Sequence, residues 1–102
     1  AFPEQVADFY RNCNGLNVKD KLEIYKLEDL QKCGSLIEFA IFDNKHSIAF
    51  DISSLNIAGH WDIVNSKNNL IITHTMASFT TNKIWAWLHR GRQVWDEEIY
   101  PE

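Results

Sequence analysis

Leu36-Ile37-Glu38-Phe39-Ala40-Ile41-Phe42, then Asp43-Asn44-Lys45-His46, then Ser47-Ile48-Ala49-Phe50-Asp51-Ile52 is the stretch on which the fold turns. Two runs rich in β-branched and aromatic residues flank four residues of turn chemistry, a pattern that predicts an antiparallel hairpin. On its N-terminal side, Leu22 and Ile24 alternate with Glu23 and Tyr25 as a short strand. Leu27 to Lys32 then reads as a helical turn ended by Gly34. On its C-terminal side, His60 to Val64 and Leu70 to His74 read as two more strands joined by the polar turn Asn65 to Asn69, which makes a meander.

Helical periods bracket these strands. Pro3 and Glu4 suit a first helical turn, Val6, Phe9, Tyr10 and Cys13 recur at helical spacing, and Asn14-Gly15 stops the run. Near the other end, Thr75 or Ser78 can cap a second helix. Met76, Phe79, Ile84, Trp87 and Leu88 fall on one face of it, Trp85 points elsewhere, and Gly91 ends it. The tail Val94-Trp95 adds an edge strand or packs back on the helix. The expected fold is α+β: one domain over residues 1–102, mainly an antiparallel sheet of about four to six strands, packed against an N-terminal and a C-terminal helix.

The chain has 102 residues, 13% aromatics and a net charge of -4, which excludes intrinsic disorder and a second core. No apolar run approaches a membrane span, so no membrane association is expected. Cys13 and Cys33 allow at most one bridge, belong to no Cys-x-x-Cys pair and read as free thiols. With no glycosylation sequon, the expected location is cytoplasmic. A pI near 5.5 argues against direct nucleic-acid binding. Residues 1 to 62 hold six Lys/Arg against ten Asp/Glu, residues 63 to 95 hold Lys67, Lys83, Arg90 and Arg92 with no carboxylate, and the last seven residues hold Asp96, Glu97, Glu98 and Glu102. Such local fields steer association more than net charge does.

Reactive constellations are missing from the sequence. His46, His60, His74 and His89 are spaced 14, 14 and 15 positions apart, too far for the i, i+4 placement that puts two imidazoles on one metal. No Gly-x-Ser-x-Gly, Ser-x-x-Lys or Gly-rich phosphate loop occurs. The expectation is no catalytic residue, no metal site, no cofactor and no small-molecule substrate. An enzyme would need a pocket that gathers two or more of His46, His60, His74 and the nearby aspartates. Trp85, beside Arg90 and Arg92, has the composition of an interface hot spot.

The order of motifs resembles the SUKH superfamily, which includes bacterial immunity proteins and fungal cell-wall regulators of the Smi and Knr type. Phe2-Pro3-Glu4 to Phe9-Tyr10 followed by Asn14-Gly15-Leu16 is similar to the family's opening helix. Ile24 to Leu30, Phe50-Asp51, Trp61-Asp62-Ile63-Val64 and Ser78-Phe79 resemble its later landmarks in the same order. The turn before Phe50-Asp51 departs from the family's Gly-rich pattern, so no binding loop is carried over. Pro3, Gly15, Trp61 and Phe79 are assigned to the fold. The resemblance implies a non-catalytic domain that binds another protein, most often an immunity protein neutralising a cognate bacterial toxin, many of these being nucleases. The alternative is a regulatory or scaffolding interaction module. An acidic body suits a basic nuclease, which makes Asp43, Asp51, Asp62 and the Asp96-Glu97-Glu98 run the expected partner contacts, with Trp85 as an apolar anchor.

Overall fold

The computed structural model describes residues 2–99. Helix α1 (Glu4–Asn12) begins behind Pro3, whose carbonyl accepts from the Ala7 amide at 3.0 Å, and buries Val6 and Tyr10. Strands β1 (Leu16–Val18) and β2 (Leu22–Ile24) follow, then a 3-10 turn (Leu27–Asp29), β3 (Gln31–Cys33), β4 (Leu36–Phe42), β5 (His46–Asp51), β6 (Asp62–Asn65) and β7 (Ile71–Thr73). The chain closes with α2 (Met76–Ser78), a π-helical segment (Phe79–Lys83), α3 (Ile84–Arg90) and a 3-10 turn (Val94–Asp96).

Among the described residues seven strands form one sheet, every pairing antiparallel, in the order β1-β2-β4-β5-β6-β7. β4 is long enough to take two partners on one side: β3 pairs with Leu36 to Glu38, and β2 with Ala40 to Phe42. Its register against β5 slips between Glu38 and Ala40. That bulge breaks the period of two, so the consecutive Phe39 and Ala40 are both fully buried. The helices cover one face of the sheet, and Val6, Tyr10, Leu22, Ile24, Phe39, Phe50, Ile63, Phe79 and Val94 form one core between them.

The α+β architecture is therefore present, with three differences from expectation. The sheet has seven strands and not four to six, because two exposed segments join it. Leu16–Val18 pairs with β2, and Gln31–Cys33 leaves the 3-10 turn through an extended Leu30 to pair with β4. The second helix is not a terminal one. Beyond Gly91, Val94 and Trp95 turn back into the core, and the Ile99 amide reaches the Ile71 carbonyl at 2.9 Å. Nor is that helix a regular α-helix, since the Ile84 amide donates to Phe79, five residues back. The wider turn brings Phe79, Ile84 and Trp87 to the core while Leu88 stays 38% exposed.

The local stop signals work as physical chemistry requires. Thr75 Oγ1 accepts from the Ser78 amide at 3.0 Å. Gly91, at φ 64°, ends α3 with its amide on the Trp87 carbonyl, the single bond of an αL close, and the Arg92 amide reaches the Ala86 carbonyl at 3.3 Å. Gly15 lies outside α1, which ends at Asn12 with Cys13 as its cap. Its φ of 98°, with the Ile24 carbonyl 3.2 Å from where a Cβ would sit, turns the chain into β1.

The Tyr10 hydroxyl is buried with no hydrogen-bond partner among the described residues, and this burial pushes its pKa well above the ordinary value of 10. A buried hydroxyl without a partner costs more than it contributes, so Tyr10→Phe is expected to stabilise the fold by about 1 kcal/mol in urea denaturation at neutral pH. The folded-state pKa is the raised one, so wild-type stability falls as pH rises above 10 while that of the variant falls less.

Candidate functional site

The cross-strand pair Asp51 and Asp62 stands at the mouth of the segment that joins β5 to β6. Asp51 closes its own turn, accepting from the Ser53 amide at 3.0 Å and the Ser53 hydroxyl at 2.7 Å. Asp62 holds a larger assembly. Its Oδ1 lies 2.7 Å from His74 Nδ1 and accepts from Asn56 Nδ2 at 2.9 Å. Asn56 also donates to the His74 carbonyl at 2.8 Å, and its Oδ1 accepts from the Ala58 and His60 amides at 3.0 and 3.1 Å. Backbone bonds from Asn56 to the His60 carbonyl and from Gly59 to the Asn56 carbonyl close the turn.

Because Asn56 points inward, its neighbours point out. Ile57 is fully exposed and Leu55 is 58% exposed. These two residues, Ala58, Thr73, His74, Thr75, Ser78 and Ile99 line an open groove of about 750 Å³. A large apolar side chain held in water gains nothing for the fold, yet here a polar clasp of fixed geometry keeps two of them there. Chemically, the groove offers apolar contact together with one oriented imidazole. The contact between Nδ1 and Asp62 fixes the orientation of the His74 ring.

The expected contact residues divide between the ends of the molecule. Asp51 and Asp62 sit together at one end of β5, spent largely on the hydrogen bonds just described. Asp43 lies at the other end of β5, in the β4–β5 turn at φ 53°. The tail returns to that same end: Trp95 stacks on His46 at 4.3 Å, and its carbonyl accepts from Asn65 Nδ2 at 2.9 Å. Asp96 and Glu98 are exposed there, while Glu97 binds Arg92 through both oxygens, at 2.7 and 3.2 Å. Trp85 stands on the outer side of α3, 49% exposed. The seven positions do not make one surface.

Sequence reasoning passed over a second groove, of about 500 Å³, on the far side of β2 and β4. Glu23, Glu28, Asp29 and Glu38 surround Tyr25 there. The β2–β4 pairing brings Glu23 and Glu38 to one face, and the 3-10 turn adds Glu28 and Asp29. Burial first, and then the charges of Glu23 and Glu38, push the Tyr25 pKa up. The only signal for this groove in the sequence was the acidic excess before residue 62.

Among the described residues no three His, Cys, Asp or Glu side chains gather where a metal ion could sit, and no helix is long and apolar enough to cross a membrane. Compared with protein-family models, curated proteins and solved structures, the chain matches none.

Asn56→Ala removes the centre of the clasp, takes their Asn56 partner from the Ala58 and His60 amides and the His74 carbonyl, and leaves Asp62 with His74 alone. The expected loss is about 1–3 kcal/mol in urea denaturation, with faster hydrogen exchange at Ala58 and His60 and little change in the β4–β5 hairpin. In an ultraviolet titration Tyr25 is expected to ionise above the ordinary tyrosine range, and Glu23→Gln with Glu38→Gln to move it back down.

Proposed function

We propose that this chain is a non-catalytic protein-binding domain, an immunity protein that acts in the cytoplasm by docking onto a cognate toxin, and that the clasped loop Leu55–Ala58 is its anchor. The observation that carries the reading is the rigid display of Leu55 and Ile57 beside the groove. Burying an aliphatic side chain of this size is worth about 1.5–3 kcal/mol. Two of them therefore supply roughly a hundredfold to ten-thousandfold in affinity, and a loop already fixed by Asn56 is not ordered at the expense of that gain.

The likeness of motif order to the SUKH superfamily supports a toxin as the partner. The acidic groove around Tyr25 supports a basic one, since complementary charge speeds encounter and selects against wrong partners. The same surfaces would serve a scaffolding module, and the gene's setting separates the two: a toxin encoded beside it favours immunity.

One observation favours a different reading. The Asp62–His74 hydrogen bond is the arrangement that orients an imidazole as a general base. Catalysis of that kind requires turnover of a substrate that vanishes in His74→Gln while the fold persists.

The docking reading is tested by co-expression with the toxin encoded beside its gene. Ile57→Asp lies on a fully exposed position and is expected to leave the thermal midpoint unchanged, yet to abolish growth rescue and complex formation. Glu23→Lys with Glu38→Lys is expected to slow association and flatten its salt dependence, with a smaller effect on dissociation. Rescue by Ile57→Asp equal to wild type would falsify the anchor.

A further inference from the structure

The sign of the surface changes on the last helix. Residues 63 to 95 carry four Lys/Arg and no carboxylate. On α3, Trp85, Leu88 and His89 fall at i, i+3 and i+4 and are all exposed, which places them on one outward stripe. The Arg90 guanidinium carbon lies 5.0 Å from the centre of the Trp85 ring, and the His89 ring lies 5.1 Å from it.

The other arginines are neutralised by carboxylates: Arg11 by Asp8 at 2.9 Å and Arg92 by Glu97 at 2.7 Å. Arg90 has no carboxylate partner among the described residues and rests on the indole. A cation at the last turn complements the negative helix end, which accounts for Arg90 alone. It does not account for an exposed tryptophan and leucine beside it. Trp and Arg in contact, flanked by an aliphatic side chain, are the components of interface hot spots.

We propose that this face of α3 binds an acidic polypeptide segment, seating a carboxylate on Arg90 and an apolar side chain on Trp85 and Leu88. A polypeptide fits better than a nucleic acid. A phosphate backbone is held by a strip of several cations, whereas here Arg92 is already paired and Asp96, Glu97 and Glu98 follow within a few residues. This surface shares no residue with the Leu55–Ala58 loop, so the proposal stands apart from the docking reading, and Ile57→Asp retains it.

The test is an NMR titration of the full chain, labelled with nitrogen-15, following the Trp85 indole N–H. The probes are a blocked peptide of repeating Asp-Glu-Leu, its Asn-Gln-Leu counterpart and an oligothymidine. The acidic peptide is expected to shift Trp85 and the α3 amides, less so at high salt, and the amide counterpart to do nothing. Arg90→Gln, at an exposed position that leaves the backbone spectrum in place, is expected to weaken binding about tenfold or more, and Arg90→Lys by less. Four results each overturn the proposal: no shift, equal shifts with the amide peptide, undiminished binding by Arg90→Gln, or tighter binding of the oligothymidine on this face.

Discussion

Aromatic rings in mutual contact run through the molecule from Phe2 to the tail. Phe39 stacks face to face on Phe50 at 3.9 Å across the β4–β5 hairpin, and Phe79 meets Phe39 edge-on at 5.3 Å. Phe42 carries the series on to Trp87 and Trp95, at 5.1 and 5.2 Å, and Trp61 extends it from Phe50 back to Phe2. Each such pair is worth about 0.5–1.5 kcal/mol beyond the area it buries. Summed along the series this is comparable to the whole net stability of a domain, roughly 5–15 kcal/mol. The helix, the hairpin and the returning tail are held by the same rings, so their relative placement is one constraint and not three.

How much of this was legible depended on whether a segment's partner lay nearby in sequence. The β4–β5 hairpin announced itself because its strands and turn are contiguous. Leu16-Asn17-Val18 and Gln31-Lys32-Cys33 did not, being only three residues long and largely exposed. Only pairing with β2 and β4 makes them strands. The face of the last helix was legible for Met76, Phe79, Ile84 and Trp87, with Trp85 outside it, and differs only at Leu88; what the sequence did not show is that a π turn between Phe79 and Ile84 is needed to keep those two in phase.

The sites followed the same logic. Asp62 was singled out as an acidic group for a partner, and the fold uses it to hold Asn56 and His74. Leu55 and Ile57 gave no warning, because an apolar residue in a polar stretch reads as core until its exposure is known. Glu23 and Glu38 lie far apart along the chain and meet through the β2–β4 pairing. The charge division noticed in the sequence becomes a division in space: a carboxylate-lined groove on the sheet, a cationic and aromatic stripe on α3.

The π-helical segment determines which tryptophan the world sees. Each helical residue is turned about 100° from the last. The wide turn absorbs one extra residue: losing one between Phe79 and Ile84 would close it to an ordinary i, i+4 turn and leave Ile84 facing the core and Trp85 outside. A single-codon deletion within the segment would thus keep both surfaces as they are, whereas the same deletion beyond Ile84, where no slack remains, would turn the residues after it by about 100° and exchange interior for exterior.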